Sequence, residues 1–232
     1  MSCQKDEGEQ PTNQLTIINS YSIGVKEPSG LVYDNTQKVL YTVSDNTNKI
    51  YKLSTTGNVF QEYSFIGNDL EGITICENGD LLIAEERNRQ LIKYNTGTKE
   101  QEIYSVAIEG SDLNSGLEGV CYNSKDNTYF VLNEKDPGLL LIFNKSFIKT
   151  KEYKLSFADD FSGICYDRGE DVIWVVSDQS KTLTKCDKEG NKLKQYNLNI
   201  DKAEGIAFDE ENKIFYIVSD SRNKLYQIEY PN

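Results

Sequence analysis

The sequence contains no histidine in 232 residues, and it has one tryptophan, one methionine and four prolines. Without histidine there is no Ser-His-Asp triad, no Cys-His pair, no histidine-ligated zinc site and no histidine general base. Conventional hydrolase chemistry is therefore disfavoured. The sequence also lacks any run of about eighteen apolar residues, so it predicts no transmembrane segment.

Basic residues are scarce as well. The chain has 25 Lys and Arg against 37 Asp and Glu, which gives a formal net charge of −12. Such a charge repels nucleic acid and anionic lipid and favours cationic partners or metal ions. Glycine-rich phosphate loops and basic nucleic-acid patches are absent. We expect no nucleic-acid partner, and contact with a membrane only through a lipid anchor.

Five cysteines are too few for a disulfide framework, and no two of them form a CxxC pair. Three of them, Cys76, Cys121 and Cys165, lie in alternating apolar runs that begin at a glycine. A small thiol in such a run is typical of a packed core. The sequence therefore predicts that these three are buried.

Residues 1–12 are polar and acidic without apolar periodicity, which predicts a flexible tether ahead of a single folded domain over 13–232. Cys3 and the residues after it resemble the start of a bacterial lipoprotein whose signal peptide has been removed. On this hypothesis Cys3 is lipidated, and the protein lies in the bacterial cell envelope, at the outer membrane or the cell surface. An ordinary frayed N-terminus is the alternative.

One short pattern, a glycine followed by an apolar strand, occurs five times. The glycines are Gly30, Gly72, Gly119, Gly163 and Gly205. The interval from Gly30 to Gly72 is 42 residues, and the following intervals are 47, 44 and 42. A period of about 40 to 50 residues is typical of one four-stranded propeller blade. The sequence therefore predicts five blades.

Each repeat continues with a buried β-rich run, an alternating third strand and an outer strand, except that the fifth repeat ends before an outer strand. Residues 16–23 carry the outer-strand pattern ahead of the first repeat. We therefore predict an all-β fold: a five-bladed β-propeller of four-stranded blades, with the ring closed by the N-terminal strand pairing into the C-terminal blade.

Acidic residues recur where the first strand of a blade begins and where the second strand ends. Because these strands are antiparallel, both positions lie at the same end of the hairpin. The first set, which we predict to approach the axis as metal ligands, is Glu71, Glu118 and Glu204. The second set, predicted as a ring of further ligand or metal contacts, is Asp45, Glu85, Glu134, Asp178 and Asp220. Together they predict an acidic mouth at one end of the channel.

Carboxylates at such density require a cation or protonation, and oxygen ligands without histidine or thiolate favour Ca²⁺ or Mg²⁺. The neutral oxygens of Ser29, Asn133 and Ser162 are further candidates, and Arg87, Lys135 and Arg222 lie nearby in sequence. The alternative is that each acid accepts backbone hydrogen bonds at a strand end, or is simply solvated.

Several blade motifs match a known family in order. They are the five glycine repeats together with the segments 84–87, 133–137, 177–180, 203–207 and 217–220. The likeness runs from about Glu27 to Gln227 and resembles the SdiA-regulated family of bacterial β-propellers, which implies an extracytoplasmic propeller of unsettled activity. More remotely, the Glu-Gly strand starts are similar to those of gluconolactonase-type propellers, where such a glutamate holds a catalytic divalent metal. Matches for the other metal ligands of that group are not recognisable.

Two classes of function stay open at this stage, because propellers support both binding and catalysis. The first is a surface-anchored binding or scaffold protein, with an unknown ligand or protein partner and a cation at the acidic mouth. The second is a divalent-metal-dependent hydrolase of lactones or phosphoesters.

Overall fold

The computed structural model describes residues 13–65, 67–108 and 115–231. These residues form twenty β-strands. Their bounds are β1 Ile17–Ser22, β2 Pro28–Asp34, β3 Val39–Ser44, β4 Lys49–Leu53, β5 Val59–Tyr63, β6 Leu70–Ile75, β7 Leu81–Glu85, β8 Gln90–Tyr94, β9 Gln101–Ser105, β10 Leu117–Asn123, β11 Thr128–Asn133, β12 Leu139–Asn144, β13 Lys149–Lys154, β14 Gly163–Asp167, β15 Val172–Ser177, β16 Thr182–Cys186, β17 Lys192–Asn197, β18 Ala203–Asp209, β19 Ile214–Ser219 and β20 Lys224–Glu229.

The strands form five four-stranded antiparallel sheets, as the repeat predicts. Blades 1 to 4 are β2–β5, β6–β9, β10–β13 and β14–β17, each in sequential order. Blade 5 consists of β18, β19 and β20 with β1 as its outer strand. The pairing of β1 with β20 runs from Ile17 opposite Ile228 to Ser22 opposite Lys224. The predicted five-bladed ring and its closure by the N-terminal strand are confirmed.

The hydrophobic core is divided among the blade interfaces. Five clusters of buried side chains each join the facing sides of two neighbouring blades, including a cluster between blades 5 and 1. The second strands β3, β7 and β15 are buried along their whole length, and β11 and β19 are buried except at their first residue, because these strands pack against a neighbouring blade on both faces. Cys76, Cys121 and Cys165 are free and buried in these clusters, as predicted.

The five repeated glycines form the waist of the channel. A Cβ on Gly163 would lie 2.1 Å from the carbonyl oxygen of Glu204, and a Cβ on Gly205 would lie 2.1 Å from that of Ser29. Gly30 and Gly72 approach the backbone of the next blade in the same way. Only about 10 Å³ of open space remains at this waist. The channel is therefore divided into two separate mouths.

Residues 1–12, which include Cys3 and the predicted tether, lie outside the described residues. Within the described ranges, no helix is long and apolar enough to cross a membrane.

Candidate functional site

One mouth of the channel is an acidic funnel of about 260 Å³. It opens where the first strands begin and the second strands end, because antiparallel pairing brings these positions together. All of its lining residues are polar or charged. They are Ser29, Asp45, Glu71, Glu86, Glu118, Glu134, Lys135, Asp160, Ser162, Gln179, Lys202, Glu204 and Asp220.

The structure brings six of the eight predicted acids into the funnel. Glu71, Glu118 and Glu204 line it at the starts of β6, β10 and β18, and Asp45, Glu134 and Asp220 line it beyond the second strands. Asp178 is not among the lining residues and is held in ion pairs, with its carboxylate 2.7 Å from Lys181 Nζ and 3.4 Å from Lys202 Nζ.

The remaining predicted acid, Glu85, does not line the funnel. It is buried in blade 2, where its carboxylate accepts hydrogen bonds from the backbone of Asn68 and from the side chains of Asn88 and Gln90. These three donors tie the end of β7 to the loop before β6 and to the turn that follows β7. The arrangement is the strand-end hydrogen bonding that was the alternative interpretation of the repeated acids.

Glu86 takes the funnel position in blade 2, and the register explains why. Leu31 pairs with Thr42 in blade 1, but Ile73 pairs with Ile83, so this hairpin is one residue shorter. The backbone N–H of Glu86 donates to the carbonyl of Asp69, as that of Asp220 donates to Lys202. Glu86 is thus the counterpart of Asp45 and Asp220. The adjacent acids Glu85 and Glu86 indicate a funnel position in this blade. The sequence does not show which of the two occupies it, because that depends on the strand register.

Asp160 is a further funnel residue that the repeat does not mark, since it lies in the loop before blade 4. It is buried, and it accepts hydrogen bonds from the Ser177 hydroxyl and from the backbone N–H of Gln179. The Ser162 hydroxyl lies 3.3 Å from its second oxygen. Asp160 therefore fixes the end of β15, and its carboxylate is largely occupied by this role.

Two groups of three carboxylates come close enough to share one cation. One oxygen each from Glu86, Glu118 and Glu134 lie within 4.8 Å of one another, and so do oxygens from Asp69, Glu71 and Glu86. Glu86 belongs to both groups. This wall of the funnel, formed by blades 2 and 3, is where the described residues best match a metal site.

Glu118 stands out within this wall. Only 9% of the residue is exposed, yet its carboxylate accepts no hydrogen bond from any residue in the described ranges. A buried carboxylate without a donor is costly in free energy unless a cation or a proton compensates it. Glu86, by contrast, accepts one hydrogen bond at 3.0 Å from the backbone N–H of Gly116.

The basic residues near the funnel are paired with particular acids. Lys135 Nζ lies 2.6 Å from Glu134, and the two arginines Arg87 and Arg222 contact Asp69 and Asp201 at 2.7 and 2.9 Å. Lys202, besides its contact with Asp178, lies in electrostatic range of Glu204. Of the eight lining acids, Glu134 is the one that makes an ion pair within the described residues. The other seven are Asp45, Glu71, Glu86, Glu118, Asp160, Glu204 and Asp220.

Burial and mutual repulsion raise the pKa values of the funnel carboxyl groups. Burial raises the pKa of Asp45 to about 6, that of Glu86 to about 7 and that of Glu204 to about 8. It raises the pKa of Glu71 and Glu118 well above the usual range, and the neighbouring carboxylates add to the shift. Both causes favour the protonated forms of these carboxyls, and a bound cation would oppose this shift.

Solved structures with the same fold include enzymes of different activities. A glutaminyl cyclase from Myxococcus xanthus matches with a TM-score of 0.74 and 14% identity, over 93% of this chain and 95% of that one. A virginiamycin B lyase from Staphylococcus aureus matches with a TM-score of 0.58 and 15% identity, over 87% of this chain and 66% of that one. A protein described as a putative gluconolactonase matches with a TM-score of 0.61 and 12% identity, over 93% and 94%. At these identities the likeness establishes the propeller fold alone.

The family comparison is more specific. The model of the SdiA-regulated family matches residues 9–229, a range that contains all twenty strands and every lining residue of the acidic funnel. The resemblance inferred from the repeated motifs is thereby confirmed, and the chain belongs to the SdiA-regulated family.

Proposed function

We propose that the protein is a binding or scaffold protein whose acidic funnel takes a divalent cation. The observation that carries this proposal is Glu118, a carboxylate that is nine-tenths buried, lacks any hydrogen-bond donor among the described residues and faces two further carboxylates within 4.8 Å. A divalent ion at this point would supply the partner that Glu118 lacks, and Glu86 and Glu134 would share the same ion.

The donor set favours a hard cation. Only carboxylate, hydroxyl and amide oxygens face the funnel besides the two lysines, and such ligands suit Ca²⁺ or Mg²⁺. A cavity of about 260 Å³ leaves room for an ion together with several water molecules. The wholly polar lining and this size fit an ion that keeps several of its waters. Ca²⁺ takes about six to eight oxygen ligands, so protein and water oxygens together complete the shell.

The first experiment measures calcium binding by calorimetry and by thermal unfolding, for the parent chain and single variants. We expect Glu86→Gln and Glu118→Gln to abolish the calcium-dependent rise in melting temperature, because both belong to the predicted ligand wall. A cation at one hundred times its dissociation constant stabilises the fold by about 2.7 kcal/mol. Glu204→Gln should retain most of the binding, since Lys202 already lies close to that carboxylate.

Glu229→Gln is the matched control, because this exposed residue on β20 lies away from the funnel and should leave the calcium response unchanged. If millimolar calcium produces no heat of binding, and neither calcium nor a chelator shifts the melting temperature of the parent, the cation site does not exist. The funnel acids are then strand-end acceptors or a solvated rim.

We also propose that the protein is anchored at the bacterial cell surface or outer membrane through a lipid on Cys3. The support is the position of this cysteine at the head of a polar, acidic segment before the propeller. When the chain is expressed behind a bacterial lipoprotein signal, Cys3 should incorporate labelled fatty acid, and Cys3→Ser should not. Equal labelling of both proteins, or of neither, contradicts the anchor.

A second candidate function is a divalent-metal-dependent hydrolase of lactones or phosphoesters. It is favoured by Glu204, which lies outside the two carboxylate groups, lines the same funnel and has its pKa raised by burial to about 8. Held by Glu86 and Glu118, a divalent ion supplies Lewis-acid chemistry. Glu204, protonated at neutral pH, is placed to deliver a proton to a leaving group in the funnel.

The two candidates differ in turnover. A hydrolase predicts release of product from lactone or phosphoester substrates that is abolished by chelator, by Glu118→Gln and by Glu204→Gln. A binding protein predicts a calcium response without turnover, and there Glu118→Gln removes the response whereas Glu204→Gln retains most of it.

A further inference from the structure

The opposite mouth of the channel is a second cavity, of about 420 Å³. It lies beyond the glycine waist, where the first strands end and their turns to the second strands begin. Its size falls within the range of about 300–1,000 Å³ that is usual for small-molecule sites. Because the waist leaves only about 10 Å³ of open space, this mouth is independent of the acidic funnel.

The walls of this second mouth differ in chemistry from the wholly polar funnel, because they combine apolar and aromatic residues with polar ones. Aliphatic side chains of all five first strands line it, together with the rings of Tyr33, Tyr122 and Tyr166. The Tyr122 hydroxyl donates to Asn127 at 2.9 Å and the Tyr166 hydroxyl to Asp171 at 2.5 Å, and neither acceptor lines the cavity. These bonds hold the rings in place, so a preformed surface faces an apolar ligand.

The rim carries two side chains of opposite charge that do not form an ion pair with each other. Arg168 of blade 4 and Glu210 of blade 5 both line the mouth, and neither makes an ion pair or hydrogen bond with any described residue. A Cβ on Gly169 would lie 2.8 Å from Glu210 Oε1, so this carboxylate rests against the backbone next to Arg168. The third charged rim residue, Asp34, is occupied by the backbone N–H groups of Thr36 and Gln37.

We propose that this second mouth binds a free zwitterionic amino acid with an apolar or aromatic side chain. The guanidinium of Arg168 pairs with the ligand carboxylate, and the carboxylate of Glu210 receives the ligand ammonium. The side chain then packs against the tyrosine rings and aliphatic walls, where burial of apolar surface stabilises the complex. A ligand with one charge alone leaves either Arg168 or Glu210 without a partner.

Four related probes separate the two charges. L-phenylalanine carries both charges, N-acetyl-L-phenylalanine only the negative one, L-phenylalaninamide only the positive one, and N-acetyl-L-phenylalaninamide neither. We expect L-phenylalanine to bind at least about tenfold more tightly than each of the others in calorimetry, a difference of about 1.4 kcal/mol. L-alanine should bind more weakly than L-phenylalanine, because it lacks the apolar body.

Two charge-removing variants assign the contacts. In Arg168→Gln, L-phenylalanine should lose its advantage over L-phenylalaninamide, and in Glu210→Gln it should lose its advantage over N-acetyl-L-phenylalanine. Glu211→Gln is the matched control, since this neighbour pairs with Lys38 and does not line the mouth. The affinity of L-phenylalanine should not change in Glu118→Gln, which removes a funnel charge at the other end of the channel.

The proposal is overturned if none of the probes saturates the protein at millimolar concentration, or if all four bind equally. It is also overturned if both rim variants, shown to be folded by thermal unfolding, bind L-phenylalanine as the parent does. Binding of L-phenylalaninamide that persists in Glu210→Gln but disappears in Glu118→Gln places that cation in the acidic funnel and also contradicts the proposed rim contact.

Discussion

At the scale of single residues, the decisive feature is how each carboxylate at the acidic end is satisfied. The carboxylates of Glu85 and Asp160 accept hydrogen bonds within the fold, and the carboxylate of Asp178 forms ion pairs with two lysines. Glu86 lies in one close carboxylate group with Asp69 and Glu71, and in a second with Glu118 and Glu134. The same residue type therefore performs structural and site roles a few ångströms apart, and its partners decide which.

The raised pKa values predict how stability depends on pH. In the folded state Asp45, Glu71, Glu86, Glu118 and Glu204 have pKa values above those of the unfolded chain, because burial disfavours their charged forms. The folded protein then binds more protons than the unfolded one, so stability falls as pH rises from about 5 to about 8. In chelator the melting temperature should decrease across this window.

Saturating calcium should flatten this decrease, because a bound cation keeps the carboxylates ionised in the folded state. A melting temperature in chelator that rises from pH 5 to 8 would show that the funnel carboxyls are not protonated. The acids with lowered pKa values, such as Asp126 and Asp171, titrate below this window and do not obscure the result.

At the scale of elements, the first strand of each blade combines two requirements. Its apolar residues fill the interfaces on both sides, and its glycine allows the backbone to meet the next blade at the waist. This close approach explains why the glycine recurs in every blade, whereas the residue before it is Glu in three blades and Ser in two. Packing at the waist requires the glycine, but it does not require a glutamate at the position before it.

Gly163→Ala should therefore destabilise the protein. The new methyl would lie 2.1 Å from the carbonyl oxygen of Glu204, and overpacking of this kind costs about 1–3 kcal/mol. In a domain of this size each kcal/mol lowers the melting temperature by about 2–4 °C. Gly97→Ala is the control, because its Cβ would meet only the flexible side chain of Asn95 at 3.3 Å in an exposed turn. Equal melting temperatures for the two variants would contradict the packing argument.

At the scale of the whole molecule, closure of the ring joins the two ends of the chain. The β1 strand pairs with β20 over most of its length, and Asn19 Nδ2 donates to Gln227 Oε1 at 2.8 Å across this pairing. Ile23 continues the closure, since its side chain is buried between blades 5 and 1. The ring thus depends on contacts between residues about two hundred positions apart.

Deletion of residues 1–24 should abolish cooperative unfolding, because it exposes β20 as an edge and removes part of the core between blades 5 and 1. Deletion of residues 1–12 is the control and should leave the transition unchanged if that segment is a tether. Thermal or denaturant unfolding monitored by tryptophan fluorescence distinguishes the two, since Trp174 is buried in the core between blades 4 and 5. A normal transition after the longer deletion would show that closure does not depend on β1.

The blade number, the closing strand and the acidic end were predictable from the sequence, because they follow from local repeats. Each blade is a run of four consecutive antiparallel strands, so its boundaries and strand order are set by nearby residues. The missing outer strand of the fifth repeat and the surplus strand at residues 16–23 then left one way to complete the ring. The burial of Cys76, Cys121 and Cys165 followed from the same alternation.

Only the tertiary structure decided which acids share space and which are neutralised. A hairpin one residue shorter places Glu86 in the funnel instead of Glu85, because neighbouring side chains of a strand point to opposite sides. The pairing of Lys202 with Asp178, and the placing of Arg168 beside Glu210 at the other mouth, join residues of different blades. Which residues of different blades become neighbours is fixed by how the five blades pack around the axis. No local sequence pattern encodes the distance between such residues.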